Sequence, residues 1–234
     1  MNDTFDYVIA GGGSAGCVLA ARLSEDPDVR VALIEAGGAG RGPLVEIPAG
    51  TVAMLPTRLN NWGFESVPQP GLNGRCGYQP RGRALGGSSA INAMVYVRGH
   101  RSDYDHWATL GNAGWSYGEV LPYFRRAEGN QRFGGPFHGR EGPLSVDDPR
   151  TDSPFHDIFL QAAREAGFAL NDDFNGAEQE GLGIYQVTQR NGERCSTAKA
   201  YLAPALGRPN LTVLTGAHAT RIGFDGRRAC SVDY

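Results

Sequence analysis

Two glycine-rich stretches carry the residues with the plainest chemical potential. Gly11-Gly12-Gly13-Ser14-Ala15-Gly16 follows the short apolar run Tyr7-Val8-Ile9-Ala10, and after it Ala15, Val18, Leu19 and Leu23 recur at helical spacing. A G-x-G-x-x-G at such a strand-to-helix junction has a use for each glycine: Gly11 for the tight turn, Gly13 for close approach of a pyrophosphate, Gly16 for helix–strand packing. The helix start then offers unpaired N–H groups and a positive partial charge to phosphate. Glu35 closes the next apolar run, Arg30–Ile34. Its carboxylate suits both hydroxyls of an adenosine ribose and would repel a 2′-phosphate, which disfavours NADP. A glycine turn of this kind also serves purely structural ends. Strand, helix, second strand and terminal acid together favour a bound dinucleotide, without separating FAD from NAD.

The second stretch runs Gly82-Arg83-Ala84-Leu85-Gly86-Gly87-Ser88-Ser89-Ala90-Ile91-Asn92-Ala93-Met94-Val95-Tyr96-Val97-Arg98-Gly99. Gly86 to Ser89 can lay bare backbone N–H groups and hydroxyls along a phosphate, with Asn92 to Val95 continuing along the rest of the ligand. A protein that binds only NAD has no obvious use for this second cradle, so the pair favours FAD. The plain alternative is a glycine turn before a buried strand.

This segment closely resembles the glucose–methanol–choline (GMC) oxidoreductases, through Gly82-Arg83, Gly86-Gly87-Ser88-Ser89, Asn92, Tyr96, Gly99 and Asp105. Other pieces agree: Asp6–Ile9 with the first fingerprint, Glu35–Gly38, Asn61-Trp62, Asn191–Ser196 and Arg208–Val213. The resemblance covers essentially the whole chain and is strongest to bacterial choline dehydrogenase-like and aliphatic alcohol dehydrogenases. It implies FAD held noncovalently, with Ser14 and Ala15 at the pyrophosphate and Glu35 at the ribose, and with Gly11, Gly13, Gly16 and Ala36 also among the cofactor-binding residues. It places Trp62 near the adenine side, where a core aromatic role is the equal alternative. Arg83, Leu85, Gly86, Gly87 and Ser89, then Asn92, Ala93, Met94 and Val95, would run along pyrophosphate and flavin, and the Ala219 backbone would meet the adenine.

The implied fold is α/β, an FAD/NAD(P)-binding Rossmann-like fold with part of an α+β substrate-binding domain. The FAD domain is expected over residues 1–145 and 210–234, with 36–101 covering the flavin, and the partial substrate domain over 146–209. Residues 36–101 are rich in Gly, Pro and Asn, and are too long for an idle connection. Helices are predicted over Ser102–Leu110, from Ser116 with Glu119 completing a capping box, and over Pro154–Ala166 between Ser153 and Gly167. In the last, Phe155, Ile158, Phe159, Ala162, Ala163 and Ala166 form one apolar stripe, which needs partner layers. Strands are predicted at Tyr7–Ala10 (buried), Ile184–Gln189, Leu211–Leu214 and Ala217–Phe224. Asp225-Gly226 is then read as a hairpin turn into Arg228–Tyr234.

The implied activity is oxidation of a primary alcohol, choline-like or aliphatic, with hydride passing to flavin N5 and electrons to a quinone or dye-like acceptor. The family's base, a histidine, is expected beyond position 234. His100, His106, His138, His156 and His218 read as solvated or structural. This chain alone is therefore expected to be inactive and marginally stable. A noncatalytic FAD-binding fragment or truncated paralogue, and a cyanohydrin lyase that keeps its flavin structurally, are the competing readings.

Among 234 residues there are 34 glycines without a Gly-X-Y period, and the net charge is −3, which gives no reason to expect a nucleic-acid partner. The four cysteines, Cys17, Cys76, Cys195 and Cys230, match no metal-site spacing and read as reduced thiols. The acidic N-terminus does not read as a signal peptide, and no apolar run approaches the about 18 residues of a membrane span. A cytoplasmic location is expected, with peripheral attachment to the inner membrane compatible with it.

Overall fold

The computed structural model describes residues 4–151 and 153–234. It divides into two compact units, Met1–Ala93 with Glu193–Tyr234, and Met94–Gly192. These boundaries lie earlier in the chain than the 145/146 and 209/210 divisions drawn from sequence.

The first unit is built on a parallel three-stranded sheet. Val31–Glu35 lies in the middle, Tyr7–Ala10 pairs with it in the register Tyr7↔Val31, and Leu211–Thr215 pairs on its other side in the register Val31↔Leu211. The middle strand is buried along its whole length, as expected of a parallel strand read as a continuous apolar run. The helix Ser14–Leu23 crosses between the first two strands and buries Cys17, Ala20 and Ala21 against Val31, Leu33, Leu85, Ala198, Leu202 and Leu211. Small residues on the helix allow that approach, and burial raises the pKa of the Cys17 thiol, which makes it a neutral packing group. All four cysteines are free.

Three expectations for this unit are corrected. The strand Tyr7–Ala10 is not buried; Tyr7 and Val8 are 49% and 41% exposed because the strand lies at the sheet edge and pairs on one side only among the described residues. The strand placed at Ala217–Phe224 begins only at Arg221, because Gly216 and Ala217 donate their N–H groups to Gly37 and Glu35 instead. Its hairpin with Arg228–Asp233 pairs Asp225 with Arg228, so the loop is Gly226-Arg227 rather than Asp225-Gly226. Residues 36–93 carry only short pieces: helices Pro43–Glu46 and Gly50–Met54, a two-residue ladder of Phe64–Glu65 with Tyr78–Gln79, and 3₁₀ turns at Pro70–Leu72 and Gly87–Ala90.

In the second unit the helix Arg101–Thr109 starts on His100, whose Nδ1 accepts from the Ser102 N–H at 3.3 Å while Asp103 accepts from the His100 N–H at 2.9 Å. The helix Tyr117–Ala127 carries the expected capping box, Glu119 accepting from Ser116. Pro154–Glu165 ends before Gly167, and of its apolar stripe only Ala163 is buried; Phe155, Ile158 and Phe159 are exposed. The strand expected at Ile184–Gln189 is absent. Val187 makes single bridges to Val95 and to Asp147 on its two sides, and only Gln189–Arg190 forms a ladder. Extended backbone shared between two partners satisfies its polar groups without a continuous strand.

The core of this unit is polar. Glu128 is fully buried; its Oε2 accepts from Arg98 at 2.8 Å and the Gly139 N–H at 2.9 Å, and its Oε1 faces Asn130 at 2.9 Å and His138 Nδ1 at 3.0 Å. The other ring nitrogen of His138 faces Asp173 at 2.9 Å. Two carboxylates on one ring require both nitrogens to donate, which is the protonated form. Burial works against that charge, but the bonds to Glu128 and Asp173 outweigh it and raise the His138 pKa above its usual 6.5. Burial likewise works against the Glu128 charge, yet His138, Asn130, Gly139 and Arg98 hold its pKa below the usual value. The stability His138 contributes is therefore complete below about pH 6.5 and is lost as pH rises through its raised value. His138→Gln should destabilise this unit by about 1–3 kcal/mol at pH 6 and flatten the alkaline decline, read by urea unfolding across pH. An unchanged slope in the variant would contradict the assignment.

Candidate functional site

The two glycine stretches meet. The Gly86 N–H donates to the Gly12 carbonyl at 2.7 Å, and the Leu85 N–H to the Gly38 carbonyl at 2.9 Å. Gly87 sits so close that a Cβ on it would lie 2.7 Å from the Gly13 Cα. It also holds φ at +52°, in the left-handed region, so two independent constraints require glycine there. Sequence logic had assigned these glycines to a ligand; the structure shows that several of them first let backbone pack on backbone.

The joined loops leave an open edge. Gly13 takes the N-cap of the first helix with no side-chain cap and no acid in the first turn, and a Cβ on it would meet nothing within 4 Å. Ser14, Ala15, Ser88, Asn92 and Ala93 are exposed beside buried Gly16, Gly86 and Gly87. Uncapped N–H groups at a helix start next to open space fit a phosphate.

Glu35 is only 6% exposed. Its Oε2 accepts from the Gly12 N–H at 2.8 Å and its Oε1 from the Gly37 N–H at 2.7 Å. The acid thus braces the first glycine loop, with a lone pair left on each oxygen. Beside it Ala36, Gly37, Gly38, Arg58, Asn60, Arg83, Thr215 and Gly216 line an open cleft of about 450 Å³. Arg83 lies over the Trp62 ring at 4.7 Å, and Trp62 stacks on Phe64 at 5.6 Å and contacts His218, the neighbour of Ala219, at 5.3 Å. The structure thus gathers Gly11, Gly13, Ser14, Ala15, Gly16, Glu35, Ala36, Trp62, Arg83, Leu85, Gly86, Gly87, Ser89, Asn92, Ala93 and Ala219 in one unit. Met94 and Val95 begin the other, where Met94 holds φ at +63°, its carbonyl accepts from the Thr188 N–H at 2.8 Å, and Val95 bridges Val187.

Sequence reasoning laid the Ser89 hydroxyl along the ligand and gave no role to Thr197 or Arg194 behind the second cradle. Ser89 Oγ donates to the Gly86 carbonyl at 2.6 Å and accepts from the Thr197 N–H at 3.0 Å, so this hydroxyl is committed to holding the loop. Arg194, 1% exposed, donates to the carbonyls of Val45 (2.8 Å), Ser89 (3.2 Å) and Asn92 (2.7 Å), to Asn92 Oδ1 (2.9 Å) and to Thr51 Oγ1 (2.6 Å). Desolvation lowers its pKa to about 10, so it remains charged at neutral pH. No local pattern marks it, because these partners lie 102 to 149 residues away in sequence. Among the described residues no cluster of acids, cysteines or histidines could hold a metal, and no helix is long and apolar enough to cross a membrane.

A strand–glycine loop–helix–strand start, an acid closing the second strand and a second glycine loop locked to the first define an α/β dinucleotide-binding fold of the FAD type. Comparison with known proteins agrees. The GMC oxidoreductase family model matches residues 5–234, and the chain belongs to that family. It is 48% identical over 231 residues to an alcohol dehydrogenase [acceptor] of Pseudomonas putida, across 98% of this chain and 42% of that protein. It is 47% identical to the mitochondrial choline dehydrogenase of Homo sapiens, across 99% and 40%. Among solved structures, pyridoxine 4-oxidase from Mesorbium loti superimposes with a TM-score of 0.92 at 39% identity, across 98% of this chain and 45% of that one. The chain thus spans less than half the length of these relatives.

Gly87→Ala should cost at least about 2 kcal/mol, from the left-handed backbone and the displaced Gly13 together, measured by thermal or urea unfolding. Stability within about 0.5 kcal/mol of the parent, the range of an ordinary surface change, would show that the two loops do not meet this closely.

Proposed function

We propose that this chain is the FAD-binding portion of a flavin-dependent oxidoreductase that converts a primary alcohol, choline-like or aliphatic, to an aldehyde. The observation that carries the reading is the uncapped helix start at Gly13, lying open beside a second glycine loop held to it by Gly86. The amides of Ser14 and Ala15 bind the diphosphate, Glu35 and Ala36 take the ribose end, and Trp62, Arg83 and the Ala219 backbone flank the adenine. Leu85 to Ser89, Asn92 and Ala93 continue toward the flavin. Of the nucleophiles that tether flavins, His, Cys and Tyr, none occurs between Gly82 and Val95, which supports noncovalent binding. Bound flavin would supply a hydride acceptor; this chain's own contribution is to bind and orient it and to shield one face from water.

A base must take the hydroxyl proton. His100 caps a helix, His138 is buried between two carboxylates, and His218 lies against Trp62. None of these is free to act, and following the family resemblance the reading assigns the base to residues outside 1–234, with His106 and His156 taken as solvated. The names of relatives include both an [acceptor] dehydrogenase and an oxygen-dependent choline dehydrogenase. A quinone or dye-like acceptor is the proposal for this chain.

Titration of the purified chain with FAD, FMN and NAD tests the cofactor. FAD should bind at least about tenfold more tightly than FMN, which lacks the adenosine half, and than NAD, which lacks the isoalloxazine. Equal affinities, or no binding, would sink the proposal. With FAD bound, anaerobic choline or a primary alcohol should leave the flavin of this chain oxidised; dye-coupled turnover by residues 1–234 alone would place the base within them.

A further inference from the structure

The side chain of Arg194 is an unusual expense in a fold. It is a charged guanidinium, 1% exposed, that pairs with no carboxylate among the described residues. Burial of an unpaired charge is costly unless something compensates it. Its compensation here is five neutral oxygens, and three of them belong to Ser89 and Asn92. Thr51 adds a second link, its hydroxyl accepting from Arg194 and donating to the Asn92 carbonyl at 3.0 Å.

The direction of these bonds matters. No cis peptide bond occurs among the described residues, and in a trans peptide the C=O and N–H point opposite ways. With the Asn92 carbonyl turned inward to Arg194, the Ala93 N–H is turned to the open side. Ala93 is exposed, and its N–H makes no hydrogen bond among the described residues.

We infer that Arg194 is the positioning residue of the second glycine cradle, fixing the Ser89–Ala93 backbone in the shape that receives the flavin nucleotide. The inference rests on the FAD reading above. Arg194 does not touch the ligand; it draws carbonyl oxygens to the rear of the loop, which leaves amide hydrogens at the front. Its positive charge adds to the field at that front, where the ligand brings a diphosphate.

The test compares FAD affinity with stability in the purified chain. Arg194→Met removes all five bonds and should weaken FAD binding by at least about tenfold. Arg194→Lys keeps the charge but not the fork, and should recover part of that loss while altering the visible circular dichroism of bound FAD. Thr51→Val should weaken binding less than Arg194→Met. Leu202→Ala, a cavity in the same unit's core, is the control: it should lower the thermal midpoint at least as much as Arg194→Lys yet leave FAD affinity and the flavin dichroism unchanged. If Arg194→Met does not fold, the Arg194→Lys and Thr51→Val comparisons with Leu202→Ala decide. Affinity that follows the thermal midpoint across all variants overturns the positioning role and leaves the cofactor reading standing. Absence of FAD binding by the parent chain overturns both.

Discussion

The hydrogen bond from the Gly86 N–H to the Gly12 carbonyl joins two loops that are 74 residues apart, and the rest of the first unit is arranged to permit it. Backbone can approach backbone this closely only where side chains are absent, and Gly87 against Gly13 is one such point between the two loops. Glu35 holds the first loop from below through the Gly12 and Gly37 amides, and Ser89, Thr197 and Arg194 hold the second from behind. Each brace spends its polar atoms on the loops, and what stays unspent is the row of amides from Gly13 to Ala15 and at Ala93. Unpaired amides at a helix start beside braced loops are the kind of edge that suits an anion.

The sheet explains why the braces hold. Val31–Glu35 is paired on both sides and buried throughout, so Glu35 leaves a rigid strand end rather than a mobile loop. The two units differ in how their interiors are made. The first packs small apolar side chains of the helix Ser14–Leu23 onto the sheet. The second surrounds Glu128 and His138 with donors and acceptors, while its helix Pro154–Glu165 keeps Phe155, Ile158 and Phe159 exposed.

What sequence could reveal follows the range of the interactions. The glycine fingerprint, the helix after it, Glu35 at the strand end and the Ser116–Glu119 capping box are local patterns, and each is where its spacing put it. The second cradle was legible as a motif, and its meeting with the first was reasoned from a shared ligand rather than from contact. The edge position of Tyr7–Ala10 was illegible because an apolar run records what a strand tolerates, not how many neighbours it has. Residues 184–189 read as a strand in sequence, but their backbone is shared between two partners through Val187. Arg194 and Thr197 act across about a hundred residues, and a lone arginine in a polar stretch carries no sign that it will be buried.

Hydrogen exchange on the purified chain, with and without FAD, tests the joined cradle most directly. Amides in 11–17 and in 86–93 should slow together, over the same range of FAD concentration, because one diphosphate closes one continuous edge. Protection confined to one of the two segments, or absent from both while FAD is demonstrably bound, would contradict the account.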